Sequence, residues 1–229
     1  MKIDILSLFP EYFEGPFHVS MIKRAREKGI VQIDLVNIRD FASDKHRKVD
    51  DRPYGGGPGM VMMPGPLTEA IRSRKGEDSH VIYLSPQGKK LTAALCASLV
   101  KHPHLILVCG HYEGIDQRVI DQEIDEEISI GDYVLTSGCP AAVVLVDAVI
   151  RFLPGVLGHE ESAQRDSFQQ GMLEGPAYTR PADFEGQTVP EVLLSGNHQK
   201  IEQWQRDQGK KKTHQMRPDL KGEKNETES

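Results

Sequence analysis

Three stretches of this 229-residue chain combine glycine with small polar residues so that backbone groups stay free for a ligand: Ser85-Pro86-Gln87-Gly88, Cys109-Gly110 through Gly114, and Ile130 through Gly138. The first two follow apolar runs with the look of strands and the third overlaps such a run, so all three should gather at the carboxyl ends of neighbouring strands. Open α/β sheets bind their ligands there. A pocket made this way offers mainly backbone donors and acceptors, which suit an adenine and a ribose. The chain has no G-x-G-x-x-G and no lysine after a glycine loop, which excludes the two commonest nucleotide grips. Side chains that could do acid–base or electrostatic work stand further on. Arg151 follows Asp147 by four residues, enough for a helix-face ion pair worth ~0.2–0.5 kcal/mol. Asp166 opens an Asp-Ser-Phe-Gln run with capping-box spacing, which on its own would start a helix. His111 and His159 are lone histidines, more often satisfied polar residues than catalysts. The acidic run 125–127 reads as a solvated face, because consecutive carboxylates point different ways.

The elements that must position these residues follow from hydrophobic periodicity. Residues 2–9 read as a first strand, 12–28 as a helix with Phe13, Phe17, Met21 and Ala25 on one face, and 30–38 as a second strand. A helix at 66–74, a strand at 80–84 ending in the Ser85–Gly88 turn, and a helix at 91–100 come next. The strand 105–109, a short amphipathic stretch around Val119 and Ile120, and a strand over 128–135 complete the set. The apolar segment 140–153 predicts a buried helix, covered either within one subunit or by a second copy. Residues 154–176 have little periodicity and read as a linker. Beyond Tyr178 lies a small polar segment with Val192–Leu194 as its apolar patch, a helix at 199–208 around Trp204, and a frayed tail from 219. The expected class is α/β with an open, mostly parallel sheet, plus a small, mostly helical C-terminal domain.

Composition limits the function. Charged residues at 27% and hydrophobic ones at 38% describe an ordinary globular chain, with no run near the ~20 apolar residues that span a bilayer. Cys96, Cys109 and Cys139 are odd in number and lack metal-ligand spacing. They predict a reducing, cytoplasmic setting and no structural metal. A net charge of −6 disfavours nucleic acid globally, yet residues 195–221 hold seven Lys/Arg against three Asp/Glu. Arg47, Lys48 and Arg52 form a second basic knot, so an acidic body with basic ends can still meet RNA phosphates. The loop 40–63 exceeds most connections, and its Gly55-Gly56-Gly57-Pro58-Gly59 run permits close approach to a ligand.

The motifs LSLFPEYF, VDDRPYGGGPGM, YLSPQGKKL, GHYEGIDQRV, DEEISIGDYVL, RFLPGVLGHEES and LLSGNH resemble those of the bacterial tRNA (guanine-N1)-methyltransferases, over nearly the whole chain. The resemblance implies a knotted domain at 1–160 threaded as a deep trefoil, a linker at 161–175 and a tRNA-binding domain at 176–229. It implies methyl transfer from S-adenosylmethionine to N1 of guanosine 37, and leaves room for magnesium without showing a site for it. Tyr83, Leu84, Ser85, Pro86, Gly110, Glu113, Ile130, Gly131, Asp132, Tyr133, Val134 and Leu135 would hold the cofactor. Asp50, Arg52, Gly55, Gly59 and His111 would meet the tRNA. Asp166 would be the general base and Arg151 the group that stabilises charge on O6. The family is a homodimer with a shared active site, one copy giving the cofactor pocket and Arg151 and the other giving Asp166. Two departures stand out. Thr136-Ser137-Gly138-Cys139-Pro140 replaces a typical Gly-Gly-Glu-Leu-Pro, and the chain stops soon after Pro218–Leu220, where many relatives continue. The rival readings are a ribose 2′-O-methyltransferase of the same knotted type and an RNA-binding protein whose altered turn has spoiled the cofactor site.

Overall fold

A computed structural model describes residues 1–157, 166–169 and 171–221. The expectations for Gly158 and His159 and for the tail beyond 221 lie outside the described residues. The chain divides into two compact units, Met1–Gly158 and His159–Ser229.

In the first unit the strands are β1 (Lys2–Ser7), β2 (Gln32–Asn37), the two-residue β3 (Asp50–Asp51) and β4 (Val61–Met62), β5 (Ser79–Lys90), β6 (His104–Cys109) and β7 (Glu126–Ser129). Five of them form a sheet in the order β2-β1-β6-β5-β7, and every pairing in it is parallel. A parallel sheet needs both faces covered, which explains why its central strands read as continuous apolar runs. Leu105, Leu107 and Cys109 of β6 pack with α1 (Ser20–Glu27), α3 (Ala93–Leu99) and α5 (Cys139–Ile150). Ile106 and Val108 turn to the other face, with Val81 and Tyr83 of β5, under α2 (Pro64–Arg72) and α4 (Gln117–Glu123).

Several expected elements are corrected. The helix expected over 12–28 is two 3₁₀ turns, Pro10–Phe13 and Pro16–His18, followed by α1 alone. Pro16 lacks an amide to continue a helix, Val19 is extended, and Ser20 takes φ +54°. Phe13 and Phe17 are buried and stacked at 5.3 Å, so their spacing serves two turns instead of one helix. The strand expected over 128–135 spans only Glu126–Ser129: the Ser129 hydroxyl bonds the amide and carbonyl of Gly131, and the chain leaves the sheet. Ser85–Gly88 is not a chain-reversing turn. Ile128 faces both Leu84 and Lys89, so 85–88 bulges out of β5 and the strand resumes. The apolar α5 is covered largely within the subunit, by burial of Ala142, Leu145, Val146, Val149 and Ile150.

In the second unit the helix expected at 199–208 runs from His198 to Met216, capped by Asn197 Oδ1 accepting from the Lys200 amide at 3.1 Å. Gly209 does not end it. A Cβ there would stand 2.6 Å from the Leu173 carbonyl oxygen, and one on Gly175 would stand 2.7 Å from that of Gln205. Two glycines thus let the 173–175 segment lie against the helix, where Thr213 Oγ1 accepts from the Leu173 amide at 2.8 Å.

At the amino edge of the sheet Asp4 is fully buried in β1, held by His104 Nε2 at 3.0 Å and Lys2 Nζ at 3.1 Å, while His104 Nδ1 meets Ser79 Oγ at 2.8 Å. These contacts tie β1, β5 and β6 together far from the glycine turns. Replacing His104 with leucine strips a buried carboxylate of a partner. It should cost about 1–3 kcal/mol in urea denaturation, with ligand binding at the opposite edge unchanged.

Candidate functional site

The carboxyl ends of β5, β6 and β7 enclose a cavity of about 350 Å³, lined by residues from Tyr83–Gln87, Gly110–Ile115, Glu127–Gly131, Tyr133–Gly138, and α4 and α5. That volume lies within the ~300–1,000 Å³ usual for small-ligand sites. The cavity gathers all three glycine-containing stretches. Of the twelve residues expected at the cofactor, eleven line it. The exception is Asp132, whose exposed side chain accepts from Lys90 Nζ at 3.3 Å instead.

Close backbone approach makes this geometry. The Gly138 amide donates to the Gly110 carbonyl at 2.8 Å, and His111 and Ser137 form an isolated bridge. A Cβ on Gly138 would stand 2.9 Å from Cys109 Cα, and one on Gly110 would stand 2.9 Å from the Tyr83 ring. Gly131 takes φ +156° and turns the chain under the Tyr133 ring. The bulged 85–88 segment rests on β7 the same way, since a Cβ on Gly88 would stand 2.4 Å from the Glu127 carbonyl carbon.

The glycine-rich loop joins the site through its last residue. The Glu113 amide donates to the Met60 carbonyl at 3.0 Å and the Met62 amide to the Gly114 carbonyl at 3.0 Å. Gly59, at φ +83°, lies so close beneath the Glu113 side chain that a Cβ would overlap it. Of the other expected tRNA contacts, Asp50 pairs with Met62 in the β3–β4 ladder, Arg52 is exposed, Gly55 is exposed at φ +86°, and His111 lines the cavity. The basic knot is partly neutralised. Arg47 pairs with Asp40 at 3.1 Å and Lys48 with Asp51 at 2.8 Å, the Lys48 bond holding the Asp51 carboxyl below its ordinary range.

Arg151 caps the carboxyl end of α5 and is exposed. Asp166, in the second unit, is half-buried. Residues 167–169 form a turn, not the start of a helix, because Phe168 takes φ +79° and its amide donates forward to the Met172 carbonyl at 2.8 Å. Ser167 bonds Glu174, and the Arg217 guanidinium lies 5.5 Å from the centre of the Phe168 ring.

Two residues line the cavity without a mark in the hydrophobic or glycine pattern. Tyr112 lines the cavity at φ +58°, a strained conformation for a bulky residue, with its ring 5.0 Å from that of His111, which also meets Phe9 at 5.1 Å. Glu127 lines the cavity too, although the acidic run reads as solvated. Its parity is the available signal: neighbours along a strand face opposite ways, and Ile128 faces the α5 side. Among the described residues no group of three or more His, Cys, Asp or Glu could hold a metal ion, and no helix is long and apolar enough to cross a membrane.

A family model described as tRNA (Guanine-1)-methyltransferase TrmD matches residues 1–223. A tRNA (guanine-N(1)-)-methyltransferase of Protochlamydia amoebophila is 63% identical over 220 residues, 96% of this chain and 99% of the relative. One from Dictyoglomus turgidum is 56% identical over 96% of this chain and 89% of its own length. One from Chlamydia pneumoniae is 59% identical over 96% of this chain, which spans 61% of that longer protein.

Two expectations follow from the geometry. Gly138→Ala should cost about 1–3 kcal/mol, because the clash is with backbone, and should weaken ligand binding. Gly76→Ala, whose methyl would meet only Ser79 Oγ at 3.8 Å, should be silent in the same denaturation and calorimetry. Behind the cavity, the buried Cys139 opens α5 with Ser7 Oγ at 3.2 Å. Its thiol is drawn from the ordinary 9.0 down to about 6, chiefly by the Cys109 thiol and further by Ser7 and Ser137. Cys109 is pushed up by the same contact and by burial. A depressed folded-state value means that the thiolate's contribution to stability is fully present above pH 9 and is lost as pH falls through about 6. Denaturation across that window should show this slope, and Cys139→Ser should remove it.

Proposed function

We propose a mechanism from one premise: the chain belongs to the tRNA (guanine-1)-methyltransferase family. Its reaction is methylation of guanosine N1 in tRNA. The finer reading is that S-adenosylmethionine fills the cavity at the ends of β5, β6 and β7, and that the acceptor is guanosine 37, beside the anticodon. The observation that carries it is the cavity's charge. Its formally charged lining residues are Glu113 and Glu127, with no lysine or arginine among the described lining. Such a lining repels phosphates and suits a ligand whose reactive centre is a cation.

The backbone of Ser85–Pro86, Gly110 and Ile130–Leu135 would hold the adenosine portion, with Tyr83 and Leu84 as its floor. Glycine at 110, 131 and 138 lets that backbone close around a flat ring. When bound, the cofactor supplies an electrophilic methyl group on a sulfonium. The protein must then make N1 nucleophilic, since its lone pair becomes available only when its proton leaves. Asp166 is assigned that proton, as a carboxylate within reach of N1. The charge that develops on O6 falls to the Arg151 guanidinium, a fixed cation with directed donors. The two groups come from different copies of the chain in a homodimer, Asp166 being carried on the linker of the second copy.

The RNA grip is assigned to two places. Lys200, Arg206, Lys210, Lys211 and Lys212 lie along one 19-residue helix. Asp50, Arg52 and the glycine-rich run through Gly59 form the loop that meets the cavity at Glu113.

The test is transfer of labelled methyl from S-adenosylmethionine to a tRNA bearing guanosine at position 37, beside an adenosine variant. Label should appear on the guanosine tRNA alone, and Asp166→Ala should lose about 10²–10⁴-fold in rate with cofactor binding intact. Full activity in Asp166→Ala would remove the assigned base. Activity from a chain that sediments as a monomer would remove the shared site.

A further inference from the structure

Resting on that reading of the cavity, we infer that Glu127 is the specificity-determining residue by which the site distinguishes the sulfonium donor from its neutral thioether product. Glu127 sits on the edge strand β7 in register with Tyr83, so both side chains leave the sheet on the same face, toward α4. It lines the main cavity and also a smaller one of about 300 Å³, shared with Gln87 and Ile120. Its Oε2 is buried and accepts no hydrogen bond.

The other carboxylates of the acidic run are satisfied. Asp125 accepts from the Val81 amide at 2.8 Å, and Glu126 accepts from Lys89 at 3.1 Å and meets His80 at 3.4 Å. Glu113, the second acidic residue of the cavity, has its carboxylate over Gly59. Lys89 lines the smaller cavity with Glu127 but pairs with Glu126, and no described lysine, arginine or histidine pairs with Glu127. Tyr83 beside it stays neutral: burial, with the Glu127 charge adding to it, pushes the phenol up to about 12. Glu127 as a whole is half-buried, and a buried carboxylate oxygen without a partner gains most from a ligand that brings positive charge.

The reaction removes such a charge. The sulfur–methyl bond breaks, its electron pair stays on sulfur, and the methyl joins the deprotonated N1. The donor's sulfonium charge is thereby lost and a neutral thioether remains in the cavity. A carboxylate there holds the donor more tightly than the product and so promotes product exchange.

Calorimetry on the full chain with S-adenosylmethionine and S-adenosylhomocysteine tests this. Glu127→Gln should weaken the donor roughly tenfold and the product little, collapsing the affinity ratio. Glu127→Asp, which keeps the charge, should retain most of the ratio, and Glu126→Gln should leave it unchanged. In the wild-type chain an analogue with an amine cation in place of the methyl sulfonium should bind like the donor, a readout independent of any variant. Equal losses for both ligands in Glu127→Gln, or an amine analogue that binds no better than the thioether, overturns the assignment. Wild-type protein that binds neither ligand overturns the cofactor reading itself, and Glu127 with it.

Discussion

The site depends on backbone meeting backbone at the carboxyl edge of the sheet. Where β6 ends, the chain at Gly110 passes the chain at Gly138 with a direct amide-to-carbonyl bond of 2.8 Å, and no β-carbon fits on either residue without clash. Tyr83 closes the third side. Three features of the first unit keep these strand ends in place. The helices covering both faces fix the sheet, the Ser129–Gly131 turn sends the arm 130–138 back across the opening, and Glu113 ties in the glycine-rich loop. Packing at this density resists small displacements, because a shift at one crossing must be taken up at the next.

The fold was legible where the period of the side chains was unambiguous. The strands β1, β2 and β6 and the helix α5 read clearly, because a parallel sheet covered on both faces leaves long apolar runs. The 12–28 segment misled, since Phe13 and Phe17 pack together in two successive turns whose geometry is set by Pro10 and Pro16. Ser85–Gly88 reads as a reversal because Ser-Pro-x-Gly is turn chemistry. That the strand resumes beyond it rests on Lys89 and Lys90 finding Ile128 and Ser129, a long-range pairing that local sequence does not encode.

The cavity residues were legible as three turns, because glycines mark close approach and strand ends mark the ligand edge. Glu127 was not, because in a window of three acids it differs from Glu126 only in which face of β7 it leaves. That depends on register with β5. Tyr112 was hidden for a different reason: its left-handed backbone conformation is imposed by the loop that carries it and opposes its residue type. Asp166 presents a converse case, since its capping-box spacing encodes a helix start, while Phe168 and Met172 close a tight turn there instead.

The glycine pair of the second unit has a mechanical consequence. Gly175 and Gly209 let the segment after Asp166 press against the long basic helix, and Leu173 is pinned there by Thr213. Seven residues before Leu173, Asp166 therefore sits on a short lever whose fulcrum is that helix. The Phe168–Met172 and Ser167–Glu174 bonds close the turn there on itself, so a displacement of the helix is carried toward Asp166. Where the helix goes the turn goes with it, and the joint at Leu173 sets how closely.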